Sequence, residues 1–143
     1  MRRVATLAGL LWAASGCFGC RSTEARAREA EFARLGQAID ALRNAPNEAK
    51  APLIASLEKS ECRDPKACEL KTTCVSAYRL LESARGASAN AKALLGKRDG
   101  GAPAAVEAAL EVNRAQSELE RARELSERCA TDQGRLLRES RAR

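Results

Sequence analysis

The 143-residue sequence contains no histidine. That absence removes the Ser/His and Cys/His nucleophile pairs, the imidazole metal ligands and the commonest general base at neutral pH. Aromatic residues are nearly as scarce, with two Phe, one Tyr and one Trp. So few rings leave no stacking platform for single-stranded nucleic acid, and no concentrated basic stripe marks a duplex binder. Long hydrophobic runs are missing too: the uncharged, mainly apolar stretch Val4 to Ala14 falls short of the roughly 20 residues a membrane-spanning helix needs. No segment of useful length alternates apolar and polar residues, so no sheet is expected.

What remains for a core is Leu, Val, Ile and much Ala. Such a core buries little apolar area per residue, and small domains of this kind are commonly stapled by cross-links. Six cysteines are available.

The start of the chain reads as an address. Met1-Arg2-Arg3 is a short positive region, Val4 to Ala14 is the apolar run, and Ser15-Gly16-Cys17 follows, as in a cleaved export signal. Ala14-Ser15-Gly16-Cys17 resembles the lipobox of bacterial lipoproteins, with Ala in place of the usual Leu three positions before the cysteine. The resemblance covers only the first 17 to 20 residues. It implies cleavage after residue 16, acylation of Cys17 and a membrane-lipid partner reached through the acyl chains, each buried methylene adding about 0.8 kcal/mol of membrane affinity. Phe18, standing where an Asp would retain the protein, implies the outer membrane of a two-membrane cell, facing the periplasm or the cell surface. Cys20 is the alternative acceptor: Phe18 is bulky where a small residue is expected, but acylation there would leave an even number of mature cysteines. A soluble exported protein with an ordinary cleaved signal is the second reading.

Cleavage would leave 143 − 16 = 127 residues, the size of one small domain, with 25 − 2 = 23 basic against 19 acidic side chains. The expected division is a signal peptide over 1–16, a lipidated tether over 17–22, a helical domain over 23–134 and a basic tail over 135–143. The expected fold class is all-α, a small antiparallel hairpin or bundle of three to four helices stapled by disulfides.

Ser22-Thr23-Glu24 supplies an N-cap and a first-turn acid, and Phe32, Leu35, Ile39 and Leu42 recur at helical spacing, predicting a helix from Thr23 to Asn44 that ends at Pro46-Asn47. Pro52 is expected in the first turn of a second helix running to about Ser60, with Leu53, Ile54 and Leu57 as its apolar face. Asp64-Pro65 reads as N-cap and first residue of a third. Along it Leu70, Cys74, Ala77, Leu81, Ala84, Ser88, Ala91 and Leu95 form a seam of alternating four- and three-residue steps, which Gly86 could interrupt. After the glycine-rich turn Gly96 to Gly101, a fourth helix is expected from Pro103. Its seam is Ala108, Val112, Ala115, Leu119, Ala122, Ser126 and Cys129, and the short connection makes it antiparallel to the third.

In an exported protein Cys62, Cys68, Cys74 and Cys129 are expected as disulfides. Cys68 and Cys74, six residues apart on one helix, would lie about 9 Å apart along its axis, beyond disulfide reach. Cys62 precedes the turn into that helix and can reach Cys68, while the hairpin brings Cys129 level with the stretch between Cys68 and Cys74. Cys62–Cys68 with Cys74–Cys129 is therefore the first expectation, and Cys62–Cys74 with Cys68–Cys129 the second. A four-cysteine zinc site is a further alternative, but C-x5-C-x5-C lacks the paired C-x2-C spacing. Gly96-Lys97 fails as a phosphate loop, because residue 91 is Ala and residue 98 is Arg. Glu118, Glu120, Glu124 and Glu127, interleaved with Arg121, Arg123 and Arg128, read as a solvated helix face. No catalytic residue, metal ligand, cofactor or small-molecule substrate is indicated, and a protein partner would have no signature here. A non-catalytic structural or protein-interaction module is the expected role.

Overall fold

The computed structural model describes residues 22–96 and 101–141, and every regular element among them is an α-helix. In chain order these are α1 (Thr23–Asn44), α2 (Asn47–Lys59), α3 (Pro65–Leu95) and α4 (Gly101–Arg141). Both expected N-caps form. The Ser22 hydroxyl accepts from the amide of Ala25, and the Asp64 carboxylate accepts from those of Lys66 and Ala67, satisfying donors that have no partner within the helix.

α3 and α4 make a long antiparallel hairpin. α3 runs unbroken through Gly86. The buried positions fall seven residues apart on both helices: Leu70, Ala77, Ala84 and Ala91 on α3, and Ala108, Ala115, Ala122, Cys129 and Leu136 on α4. A seven-residue repeat keeps two helices in contact by supercoiling them, and alanine at the contacts lets the backbones approach closely. α1 lies over one side of this hairpin, touching α3 and α4, and α2 packs on α1 and α3. Phe32, Leu35, Ile39 and Leu42 of α1 meet Ile54 and Leu57 of α2, Leu70, Val75 and Tyr78 of α3 and Leu136 of α4 in one core. The molecule thus has a four-helix half near Asp64 and a two-helix half toward the hairpin connection.

Three boundaries differ from expectation. α2 begins at Asn47, so Pro52 stands inside the helix rather than in its first turn. Proline there loses the bond to the carbonyl four residues back and its ring crowds that carbonyl, a cost offset by the burial of Ile54 and Leu57. α4 begins at Gly101, whose φ of +55° suits glycine because it lacks the Cβ that clashes in the left-handed region. At the other end the expected tail over 135–143 is helical to Arg141, because Leu136 continues the buried heptad and Glu139 pairs with Lys66 at 3.0 Å.

Candidate interaction surface

Cys17 and Cys20, the two candidate acylation sites, lie outside the described residues. The four domain cysteines form two disulfides, Cys62–Cys68 and Cys74–Cys129, with Cα separations of 5.3 and 5.1 Å. The first expectation therefore holds over the swapped connectivity. With both pairs joined, the thiolates of the four-cysteine zinc alternative are used up. Disulfides persist in oxidising compartments, so the domain belongs to an oxidising, extracytoplasmic setting. No helix among the described residues is long and apolar enough to cross a membrane.

At the four-helix end, a polar network ties α1 to the connection before α3. The Glu31 carboxylate accepts from the backbone amides of Arg63 and Asp64 at 2.5 and 3.3 Å, and Arg34 donates to the Glu61 carbonyl at 2.6 Å. Arg28 has Glu24 four residues back at 4.0 Å; its closer partner is Asp64 at 2.9 Å. The cleft between α1 and residues 61–65, about 600 Å³, is thus lined by Arg28, Glu31, Arg34 and Asp64, each already bonded to a charge or backbone group of the protein, together with Glu61 and Arg63.

Lysines close the exposed carbonyl ends of the two short helices. Lys50 of α2 donates to Leu42 and Arg43 at the end of α1, and Lys71 of α3 donates to Glu58 and Ser60 at the end of α2. Such cations satisfy terminal carbonyls and oppose the helix dipole. Gln133, buried on α4, donates to the Gly36 carbonyl at 3.2 Å and to Asp40 at 3.0 Å while accepting from Arg43 at 2.8 Å. Beside this network Tyr78 is buried, and that burial raises its pKa above 10.0, the Arg43 charge and hydrogen bond opposing and Asp40 reinforcing the rise.

The carboxylates expected on a solvated face divide in two. Glu120, Glu124 and Glu127 are exposed. Glu118 instead lies along the hairpin contact, bonded to Arg114 at 3.1 Å, with one carboxylate oxygen buried and unpartnered. The Ser83 hydroxyl beside it and then the Arg114 guanidinium hold its pKa below the usual range against the effect of burial. Among the described residues no group of three or more metal-ligating side chains occurs.

The seam itself needs correction. Val112, Leu119 and Leu95, expected in the contact, are 41%, 46% and 66% exposed. They lie on the flank. Val112 and Leu119 stand three and two heptads before Gln133, and Leu95 three heptads after Cys74, so these exposed residues extend the stripe that α1 covers at the four-helix end. Ala87 of α3, not Ser88, fills the seam beside Ala84 and Ala91. Where α1 and α2 stop, no described residue covers this stripe. Arg85, donating to the Asn47 carbonyl at 3.1 Å, marks the start of α2 and the edge of the cover. Just beyond it Ala84, Gly86, Ser88, Ala89 and Leu119 line an open groove of about 540 Å³. Off this stripe the hairpin carries Arg128 bonded to Glu69 and Arg114 to Ser83, and also the exposed Val106 and Leu110 of α4.

No family model, curated protein or solved structure matches this chain, so fold and surface are read from their own geometry.

Proposed function

We propose that the chain is an envelope lipoprotein, held to membrane lipid by an acylated Cys17, whose helical domain serves as a non-catalytic protein-interaction module. The observation that carries this reading is the joining, in one chain, of Ala14-Ser15-Gly16-Cys17 after a charged and then apolar start with a domain whose four cysteines are all oxidised. Each is expected of an exported protein. Phe18 supports the outer membrane as destination. The exposed apolar side chains gathered in the two-helix half, Leu95, Val106, Leu110, Val112 and Leu119, support interaction.

Mass spectrometry of the mature amino-terminal peptide tests the anchor. The expected result is Cys17 as first residue bearing diacylglycerol and acyl mass, with Cys17→Ser released from the membrane fraction. An unmodified terminus overturns the anchor, and lipid on Cys20 moves it by three residues.

A further inference from the structure

We infer that Cys62–Cys68 is a reversible redox site, opened by a dithiol of a partner protein while the domain stays folded, and that Cys74–Cys129 is a permanent staple. This goes beyond the function proposed above and rests on neither the anchor nor the interaction role.

The two bonds lie in unlike surroundings. Cys74 and Cys129 are 0% and 2% exposed, enclosed between α3 and α4, so a reductant meets them only when the hairpin opens. Cys62 and Cys68 are partly exposed, one on the connection after α2 and the other in the first turn of α3. Thiol–disulfide exchange requires contact between sulfurs, so access decides which bond is attacked.

The connection is also fixed without its bond. Lys71 donates to the Ser60 carbonyl at 2.7 Å and Arg34 to that of Glu61 at 2.6 Å, while Glu31 accepts from the amides of Arg63 and Asp64. Asp64 in turn pairs with Arg28 at 2.9 Å and caps α3, and its carbonyl accepts from the Cys68 amide at 3.0 Å. Noncovalent bonds thus engage the chain on both sides of Cys62 and at Cys68 itself. The bond spans only six residues, so opening it frees less chain entropy than the 55-residue span of the other. With the bond open, the same contacts keep the two cysteines in place for it to form again.

Helix geometry sets the direction of exchange. In the first turn of α3 the helix dipole stabilises a thiolate on Cys68, and a stabilised thiolate leaves faster. A partner thiolate therefore attacks the Cys62 sulfur; a bond forms between them as the Cys62–Cys68 bond breaks, and the electron pair leaves on Cys68. The partner's second thiolate then attacks the partner sulfur of this mixed disulfide and releases Cys62. The partner's dithiol is oxidised to a disulfide, the Cys62–Cys68 disulfide is reduced to two thiols, and the two protons pass from the partner to Cys62 and Cys68.

The test exposes the full chain, without denaturant, to dithiothreitol and maps iodoacetamide-labelled tryptic peptides by mass spectrometry. Cleavage after Arg63 and Lys66 separates Cys62 from Cys68. These two should label at least about tenfold sooner than Cys74 and Cys129, with helical circular dichroism unchanged, and should pair again when the reductant is removed. With 2-mercaptoethanol and iodoacetamide together, the trapped intermediate should carry the mercaptan on Cys62 and the alkyl group on Cys68. In intact cells quenched with acid and then alkylated, a fraction of Cys62 and Cys68 should be found as thiols, with Cys74 and Cys129 fully oxidised. Simultaneous labelling of all four cysteines, loss of helicity as the first bond opens, or complete oxidation of Cys62–Cys68 in cells overturns the proposal and leaves a structural staple only. Mercaptan on Cys68 overturns the direction of exchange. None of these outcomes depends on whether Cys17 carries lipid.

Discussion

Tyr78 is the only tyrosine in the chain, so its titration can be followed without interference. Burial favours the neutral phenol, and its folded pKa stands above the ordinary 10.0. A group raised in this way contributes stability that is fully present below the unfolded pKa and is lost as pH rises through the folded value. Phenolate absorbance should therefore show a midpoint above 10, falling to the ordinary value in denaturant, and Tyr78→Phe should flatten the alkaline decline in stability. A native midpoint at or below 10 would contradict the burial. Gly86 offers a simpler expectation: with open space around the missing Cβ, Gly86→Ala should stabilise the fold by roughly 0.5–1 kcal/mol in urea denaturation. Single side chains were the least legible feature of the sequence. Gln133 and Glu31 act across elements distant in the chain, and Lys50 and Lys71 reach back across a turn to the end of the preceding helix; no local pattern marks a side chain whose partner is chosen only when helices pack.

At the scale of the helix, local chemistry was strong where a cap or a turn spoke. Ser22 and Asp64 with Pro65 start α1 and α3 where the sequence predicts, and α1 has the predicted bounds. The seam was half legible. A four-and-three alternation marks two stripes, and periodicity does not tell which one faces the neighbour when alanines let the helices close on one alone. The segment after Gly134 is set apart in the sequence as a basic tail, yet Leu136 stands in heptad register with Cys129 and is buried. Cysteine pairing was legible because helix geometry forbids Cys68–Cys74. The two bonds should differ in weight. Chain-entropy arguments give about 4 kcal/mol for the bond spanning 55 residues and about 2 kcal/mol for the one spanning 6. Cys74→Ser/Cys129→Ser should accordingly lower the denaturation free energy more than Cys62→Ser/Cys68→Ser, and the reverse order would show that native-state strain or residual unfolded structure governs.

For the whole molecule, the division into a four-helix and a two-helix half sets a gradient of stability. Backbone amides protected by a continuous apolar core exchange only on global opening, whereas those with few buried contacts exchange through local fluctuation. Hydrogen exchange should therefore be slowest around Leu70 to Tyr78 and Cys129 to Leu136, and faster from Ser88 to Leu95 and from Ala102 to Leu119. Uniform protection along the hairpin would remove the distinction.

The connectivity of the disulfides also bears on how the molecule is made. Counted along the chain, the domain cysteines join first to second and third to fourth. A chain delivered amino-terminus first to an oxidant that links thiols in order of arrival acquires these domain pairs directly when Cys20, which emerges ahead of Cys62, is kept out of the pairing. Maturation then calls for an oxidase, with an isomerase needed only to release a Cys20–Cys62 bond.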